Sequence, residues 1–449
     1  MPSIKDERLE RLLERLRKDP GRAVPENALA RVGATAFAAA RTGAGFLAGA
    51  LRGRGKAGLA GVDLETIERL VTSLGELKGV AMKLGQILGT LDTIDETIPP
   101  EARRLLALLQ TQSQRAEPGA IEEVLRKELG KKAEALLANL DPIPASVASI
   151  GEVHRARLPD GTPVAVKVQH PGIENAVRAD FRAAGAGRAF ASMFPGGGAT
   201  VRESIAEAGE RLLEECDYRL EAERQVTFRR LFARHAILVV PSVHRAWTTR
   251  RVLTTTWEDG LGLDAYLESG PDLAAKSRAG KALLEFYIGT LYRHALFHAD
   301  PHPGNYRFRD DGRIVVFDYG CVRVFDRPTV AALAALARAV RADDAGAIRG
   351  ALAALGARHT GGDADFALIR TLLRGFFGPM LLPGPRAVDA GATLDLASVM
   401  RDKLALMRLQ LPGKLLFLFR IRFGLYAVLA RLGAVCDWSA LEASYADEA

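Results

Sequence analysis

Two prolines, Pro301 and Pro303, stand inside "FHADPHPGNYRF" (297–308), between a helical pattern and a short apolar run. Neither a helix interior nor a central strand accepts such a pair, since each proline lacks a backbone donor and fixes φ. The segment must therefore be a loop with restricted backbone. Its polar residues are Asp300 and, five positions on, Asn305. A second carboxylate, Asp318, follows the next apolar run in "VVFDYG".

The rest of the chain decides which chemistry uses this loop. At 449 residues the chain exceeds one small core, so two or more lobes are expected. Three widely spaced cysteines, Cys216, Cys321 and Cys436, imply a reducing compartment and no zinc ribbon. The charged, helical start does not read as a secretory signal. The apolar stretch 34–50 is short and interrupted by Arg41. The C-terminal "LLFLFRIRFGLYAVLARLGAVCDW" contains Arg420, Arg422 and Arg431, so it reads as a packing helix and not a membrane span.

Along the chain, helical patterns run to about residue 138 and "LDPIPAS" marks a boundary. The period then changes: "ASIGEVHRARL" and "PVAVKVQH", joined by "PDGT", read as a hairpin. A helical stretch over roughly 201–234 and two strands, "ILVVPSVHRAW" and "RVLTTTW", follow. From 271 onward the pattern is helical apart from strands flanking the proline loop. The expected division is a helical extension (1–140), a small mixed lobe (141–260) and a helical lobe (261–449).

Four pieces then fall in one order. Lys167 ends the second arm of the hairpin in "VAVK". Glu214, Asp217 and Glu221 are spaced i, i+3, i+7 and would share one helical face. "HADPHPGN" has the H-x-D-x-x-x-x-N spacing of a kinase catalytic loop, and "FDYG" resembles D-F-G. Each piece alone is ordinary: a solvated strand end, a wet helix face, a loop, a turn. Together they suit a nucleoside triphosphate. A strand lysine meets the α- and β-phosphates and a helical Glu fixes that lysine. Asn305 and Asp318 offer the hard oxygen donors Mg²⁺ requires. Asp300 is placed to accept a proton or orient an acceptor.

A rival reading takes His298, Asp300 and His302 as an H-x-D-x-H transition-metal site. Pro301 and Pro303 argue against the strand it needs, and it leaves Lys167 and Asp318 without a role. Two departures separate the chain from an ordinary protein kinase. In place of a G-x-G-x-x-G loop it has "PASVASIGEVH", with Ala145, Ser146, Ala148 and Ser149 where glycines would be and only Gly151 remaining. No A-P-E follows "DYG", so little chain is available to dock a peptide. Protein substrates are not expected, and no signature favours nucleic acid.

With "GVAMKLGQILG", "ASVASIGEVH", "EECDYRLEAE" and "HADPHPGN" in view, the chain resembles the UbiB/AarF family of atypical kinase-like proteins over about residues 23–435. The resemblance implies an α+β, protein-kinase-like, two-lobed fold with an N-terminal helical extension over the active site. It assigns Lys83, Gly85 and Gln86 to the family's K-x-G-Q motif, Glu215 and Asp217 to its E-x-D pair, and Glu221 to the partner of the strand lysine. It further implies ATP or ADP with Mg²⁺, ATPase behaviour, and peripheral attachment to a membrane on the cytoplasmic side of a bacterial cell. A role in isoprenoid quinone or lipid metabolism goes with it. The other class left open is a catalytically weak, nucleotide-switched lipid-binding regulator or chaperone-like module. The chain reads G-E-V-H where the family usually has G-Q-V-H, which bears on nucleotide preference.

Charge distribution yields a first prediction. Residues 1–60 hold 12 Lys and Arg against 6 Asp and Glu, so +6 of the net +7 lies there. Such a segment suits an anionic membrane surface. Deleting residues 1–22 is expected to weaken binding to anionic liposomes in sedimentation assays, and the lost component should be the salt-sensitive one.

Overall fold

The computed structural model describes residues 119–148, 150–175, 213–359, 362–389 and 413–449, with a few positions between them. The expectations for residues 1–60, for Lys83, Gly85 and Gln86, and for Ser149 lie outside the described residues. The described chain falls into two compact units. One ends at Tyr218 and takes in Arg245–Thr254; the other joins Arg219–His244 to Thr255–Ala449.

In the first unit, α1 (Ala120–Leu129) and α2 (Ala133–Leu137) precede three strands: β1 (Ser146–Val147), β2 (Gly151–Arg157) and β3 (Pro163–Gln169). The hairpin read from the sequence is present, with β2 and β3 antiparallel and Val153 opposite Lys167. Period two explains the faces of β3. Val164, Val166 and Val168 are fully buried against Ile121, Val124 and Leu125 of α1, while Lys167 falls on the other face. Each such valine contributes about 1.5–3 kcal/mol by leaving water. The sheet order is β1-β2-β3-β5 once β5 (Val252–Thr256) is added.

The acidic stretch does not form the single helix expected. Residues 213–215 are helical, Cys216 turns, and α3 begins anew at Tyr218 and runs to Leu231. The backbone groups that would continue the helix are bonded elsewhere. Tyr218 N–H donates to the Arg250 carbonyl at 2.9 Å, and the Cys216 carbonyl accepts from Gln169 Nε2 at 2.8 Å. Glu214 and Asp217 therefore do not share a continuous helix face with Glu221.

The second unit frames the proline loop with short strands. β4 (Leu238–Val239) is parallel to β8 (Ile314–Val316), and β8 is antiparallel to β7 (Tyr306–Phe308). Separately, β6 (Leu296–His298) pairs antiparallel with β9 (Val322–Val324), setting His298 opposite Val322. The loop leaves β6 and enters β7, whereas Asp318 lies between β8 and β9. Two ladders thus fix both loop ends and the Asp318 turn. Of the first expected strand, Leu238–Val239 forms a strand, Val243 adds only an isolated bridge to Thr255, and Arg245–Trp247 is a 3₁₀ turn.

Around these ladders stand α4 (Leu263–Glu268), α5 (Leu273–Leu284), a π-helical turn (Glu285–Gly289) and α6 (Thr290–His294). Next come α7 (Arg327–Ala342), α8 (Ala345–Ala354), α9 (Asp363–Phe377), α10 (Gly413–Leu432) and α11 (Trp438–Asp447). Aspartates start four of them. Asp272, Asp326, Asp344 and Asp437 each accept a backbone N–H three residues on, which satisfies donors the first turn leaves open. Among the described residues no helix is long and apolar enough to cross a membrane. The arginines of α10 interrupt its apolar run. Arg422 is in fact buried, and its guanidinium pairs with the wholly buried Glu442 of α11 and donates to Tyr426 Oη.

That pair generates a prediction. Removing one member of a buried ion pair strands a charge and costs about 3–5 kcal/mol, whereas replacing both by apolar groups costs far less. Arg422→Met should therefore lower stability by about that amount in denaturant unfolding. Arg422→Met with Glu442→Leu should recover most of the loss.

Candidate functional site

In the first unit the residues around the hairpin take definite positions. Lys167 Nζ lies 5.0 Å from the centroid of the Tyr218 ring, a cation–π contact. The alanine-rich segment is not an open loop throughout. Ser146 and Val147 form β1, pairing with Val153 and Glu152. The N–H groups of Ala145 and Ala148 donate to the carbonyls of Val153 and Gly151 at 2.8 and 2.7 Å. A Cβ on Gly151 would run into the Val168 carbonyl oxygen, so this position needs glycine for close approach of two strands.

Glu152, of the G-E-V-H run, is buried. It accepts the Ala116 N–H and lies 3.2 Å from His154 Nε2, whose Nδ1 bonds the Asp141 carbonyl. Asp217 sits 3.9 Å from Arg250 Nε. Cys216, between Glu215 and Asp217, is buried, and desolvation first and then Glu174 push its thiol up to about 12. That thiol stays protonated and is no nucleophile.

The second unit brings the other predicted residues together. Asn305 Nδ2 donates to Asp300 Oδ2 at 2.9 Å and to the Asp300 carbonyl at 3.2 Å. With its amide nitrogen so engaged, its carbonyl oxygen is turned away from Asp300. Asn305 O in turn accepts from Phe317 N–H at 2.9 Å, linking the loop to the residue before Asp318.

Asp318 adopts a left-handed backbone, φ 56°, which aspartate tolerates better than most residues. Its Oδ1 accepts the Gly320 N–H at 3.0 Å, and Arg224 of α3 donates to the Gly320 carbonyl at 2.7 Å. Glu221, one turn earlier on α3, is buried. Lys167 belongs to the first unit, and Glu221, Asp300, Asn305 and Asp318 to the second.

The histidines answer the rival metal reading. His298 is fully buried, ringed by Phe228, Phe286, Tyr287 and Tyr319 at 5.3–6.0 Å between centroids. Its Nε2 lies 2.7 Å from the Asp318 carbonyl, and its Nδ1 accepts the Asp300 N–H at 3.4 Å. Burial lowers its pKa and keeps it neutral, with the proton on Nε2. His302 Nδ1 accepts the Gly304 N–H. Both rings thus serve backbone geometry, and among the described residues no group of three or more His, Cys, Asp or Glu could hold a metal ion.

Two neighbours of the loop escaped the sequence reading. Tyr287 Oη donates to the Asp300 carbonyl at 3.0 Å, and Tyr306 Oη donates to Tyr287 Oη at 2.7 Å. Burial first, then neighbouring oxygens, raise the Tyr287 pKa well above 10, so the group remains a donor. Nothing in the local pattern marks Tyr287, since an aromatic on an apolar helix is ordinary core.

Gly151 supplies a prediction at this site. Gly151→Ala places a methyl against backbone that cannot give way as a flexible side chain would. It is expected to cost about 1–3 kcal/mol, read as a lowered denaturation midpoint, with Gly161→Ala, where a Cβ meets open space, losing less despite its positive φ.

Comparison with known proteins places the chain in a family. The model of the "ABC1 atypical kinase-like domain" family matches residues 108–351. The chain is 30% identical over 259 residues to the mitochondrial atypical kinase COQ8B of Rattus norvegicus, covering 58% of this chain and 48% of that protein. It is 28% identical over 260 residues to the mitochondrial atypical kinase COQ8 of Saccharomyces cerevisiae, covering 58% and 51%. The chain thus spans about half the length of these curated relatives. A solved Mycobacterium tuberculosis protein, Rv3197 in complex with erythromycin, superposes with TM-score 0.59 at 27% identity, over 84% of this chain and 94% of that one. A kinase-like α+β fold, an Asp–Asn loop anchored to an Asp-Tyr-Gly turn and a family match over more than half the sequence lead to one conclusion: the chain belongs to the ABC1 atypical kinase-like family.

Proposed function

We propose that the chain is an atypical kinase or ATPase that binds a Mg²⁺-adenine nucleotide and supports isoprenoid quinone or membrane lipid metabolism, not protein phosphorylation. The observation that carries the nucleotide reading is the hydrogen bond from Asn305 Nδ2 to Asp300 Oδ2. It commits the amide nitrogen to the loop and leaves the amide oxygen as a donor for a hard cation.

The donor set fits magnesium: one amide oxygen and one carboxylate, Asn305 and Asp318, with phosphates and water completing the shell. When bound, the ion would neutralise phosphate charge. Lys167 would meet the α- and β-phosphates, with Glu221 as its partner. Asp300, held at its carbonyl and its carboxylate, would accept a proton from the acceptor or orient it. Ala145, Ser146, Ala148, Ser149 and Gly151 would line the phosphates. The engaged N–H groups of Ala145 and Ala148 favour slower, looser phosphate handling than a glycine-rich loop gives.

Two features support substrates other than proteins. β9 gives way to α7 at Arg327, only a few residues after Asp318, which leaves no room for a peptide-docking segment. The charge in residues 1–60 favours a peripheral membrane location. The relatives named atypical kinases lend the reading further support. The same proposal includes the division at 140 and 260, the helix carrying Lys83, Gly85 and Gln86 over the active site, and Glu215 and Asp217 as the E-x-D pair.

A thermal-shift titration tests it. Wild type should be stabilised by Mg²⁺-ATP or Mg²⁺-ADP, by RT ln(1 + [L]/Kd). Asp318→Asn should lose the Mg²⁺-dependent part because an amide does not offset the metal's charge. An undiminished shift in Asp318→Asn removes Asp318 from the metal site, and no shift in wild type removes the nucleotide reading.

A further inference from the structure

We propose that Tyr287, backed by Tyr306, is a positioning residue that fixes Asp300 and thereby decides how Asn305 divides its amide between the loop backbone and the Asp300 carboxylate. This rests on the reading of Asp300 and Asn305 as nucleotide-site residues.

The geometry begins in the π-helical turn Glu285–Gly289. A π turn adds a residue to the helix repeat and so changes which neighbours can face one target. Here Phe286 and Tyr287 are consecutive, yet both rings pack on His298, at 5.3 and 5.4 Å between centroids. From that seat the Tyr287 hydroxyl reaches the Asp300 carbonyl at 3.0 Å. Tyr306, the residue after Asn305, donates to the same hydroxyl at 2.7 Å. The two hydroxyls form a directed chain from Tyr306 through Tyr287 to Asp300. Neither ring is exposed to solvent.

The Asp300 carbonyl has two donors, Tyr287 Oη and Asn305 Nδ2, and Asn305 Nδ2 also serves Asp300 Oδ2. A partly buried carbonyl that loses one of its two donors depends on the other for its remaining hydrogen bond. With Tyr287 in place, Asn305 is free to hold the carboxylate. Without it, Asn305 is drawn to the backbone, the carboxylate loses its partner, and the amide oxygen rotates from its place. Supporting hydrogen bonds of this kind are typically worth about 10–100-fold in metal affinity or activity.

The test compares wild type, Tyr287→Phe, Tyr306→Phe and, as a buried-tyrosine control away from the loop, Tyr445→Phe. ATP hydrolysis is measured against Mg²⁺ concentration at saturating nucleotide. Amide hydrogen exchange is followed over the peptide containing residues 298–306 without nucleotide. Tyr287→Phe should raise the Mg²⁺ midpoint about tenfold and lower kcat with little change in KM for ATP, and its loop peptide should exchange faster. Tyr306→Phe should do the same to a smaller extent, and Tyr445→Phe should do neither. An unchanged Mg²⁺ midpoint in Tyr287→Phe, or unchanged exchange at the loop, overturns the proposal. A uniform loss of activity with the midpoint fixed would make Tyr287 merely structural and also overturns it. A wild type that neither binds nor hydrolyses Mg²⁺-ATP defeats the nucleotide reading and with it the role assigned to Asn305. In that case the exchange result alone decides whether Tyr287 holds the loop.

Discussion

The second unit is organised around one hydrogen bond, from the buried ring of His298 to the carbonyl of Asp318. It joins the end of β6 to the turn after β8, two segments that are not neighbours in either ladder. A neutral imidazole can donate on one side and accept on the other, and His298 does both, taking the Asp300 N–H on Nδ1. One ring therefore sets the backbone on both sides of the site. Four aromatic rings around it exclude water, so breaking that bond would leave donor and acceptor unsatisfied in a dry core.

Much of this was legible in the primary structure. The prolines required a loop, the hairpin followed from period-two patterning and "PDGT", and Asp300, Asn305 and Asp318 could be singled out because their spacing is fixed along the chain. Contacts that depend on distant segments were not legible. The break at Cys216 arises from Gln169 and Arg250, residues far from it in sequence. Arg422 argued against a membrane span, but its burial beside Glu442, twenty residues on, carried no mark in the pattern. Tyr287 matters through a π turn, and no periodicity argument forecasts which face such a turn presents.

Glu152 makes the same point from chemistry. A carboxylate beside the alanine-rich segment suggests repulsion of any anion brought there. In the fold it sits among His154 and the Ala116 N–H. Alternation along β2 turns Glu152 and His154 to a common side, where both are buried. Its carboxylate has local partners, so the residue type alone is a poor guide to the surroundings of the hairpin.

The approach of α10 to the proline loop has a dynamic meaning. A Cβ on Gly424 would come within 2.7 Å of Pro301 Cγ, so the helix meets the proline ring with no side chain between them. Where two segments are separated by a side chain, rotamer changes on the picosecond-to-nanosecond scale let them slip independently. Here there is no rotamer to change. A displacement of Pro301 toward α10 has to move the backbone of a twenty-residue helix, which shifts such motion to the slower, collective microsecond-to-millisecond range. The loop carrying Asp300 inherits the tempo of a helix more than a hundred residues further along the chain.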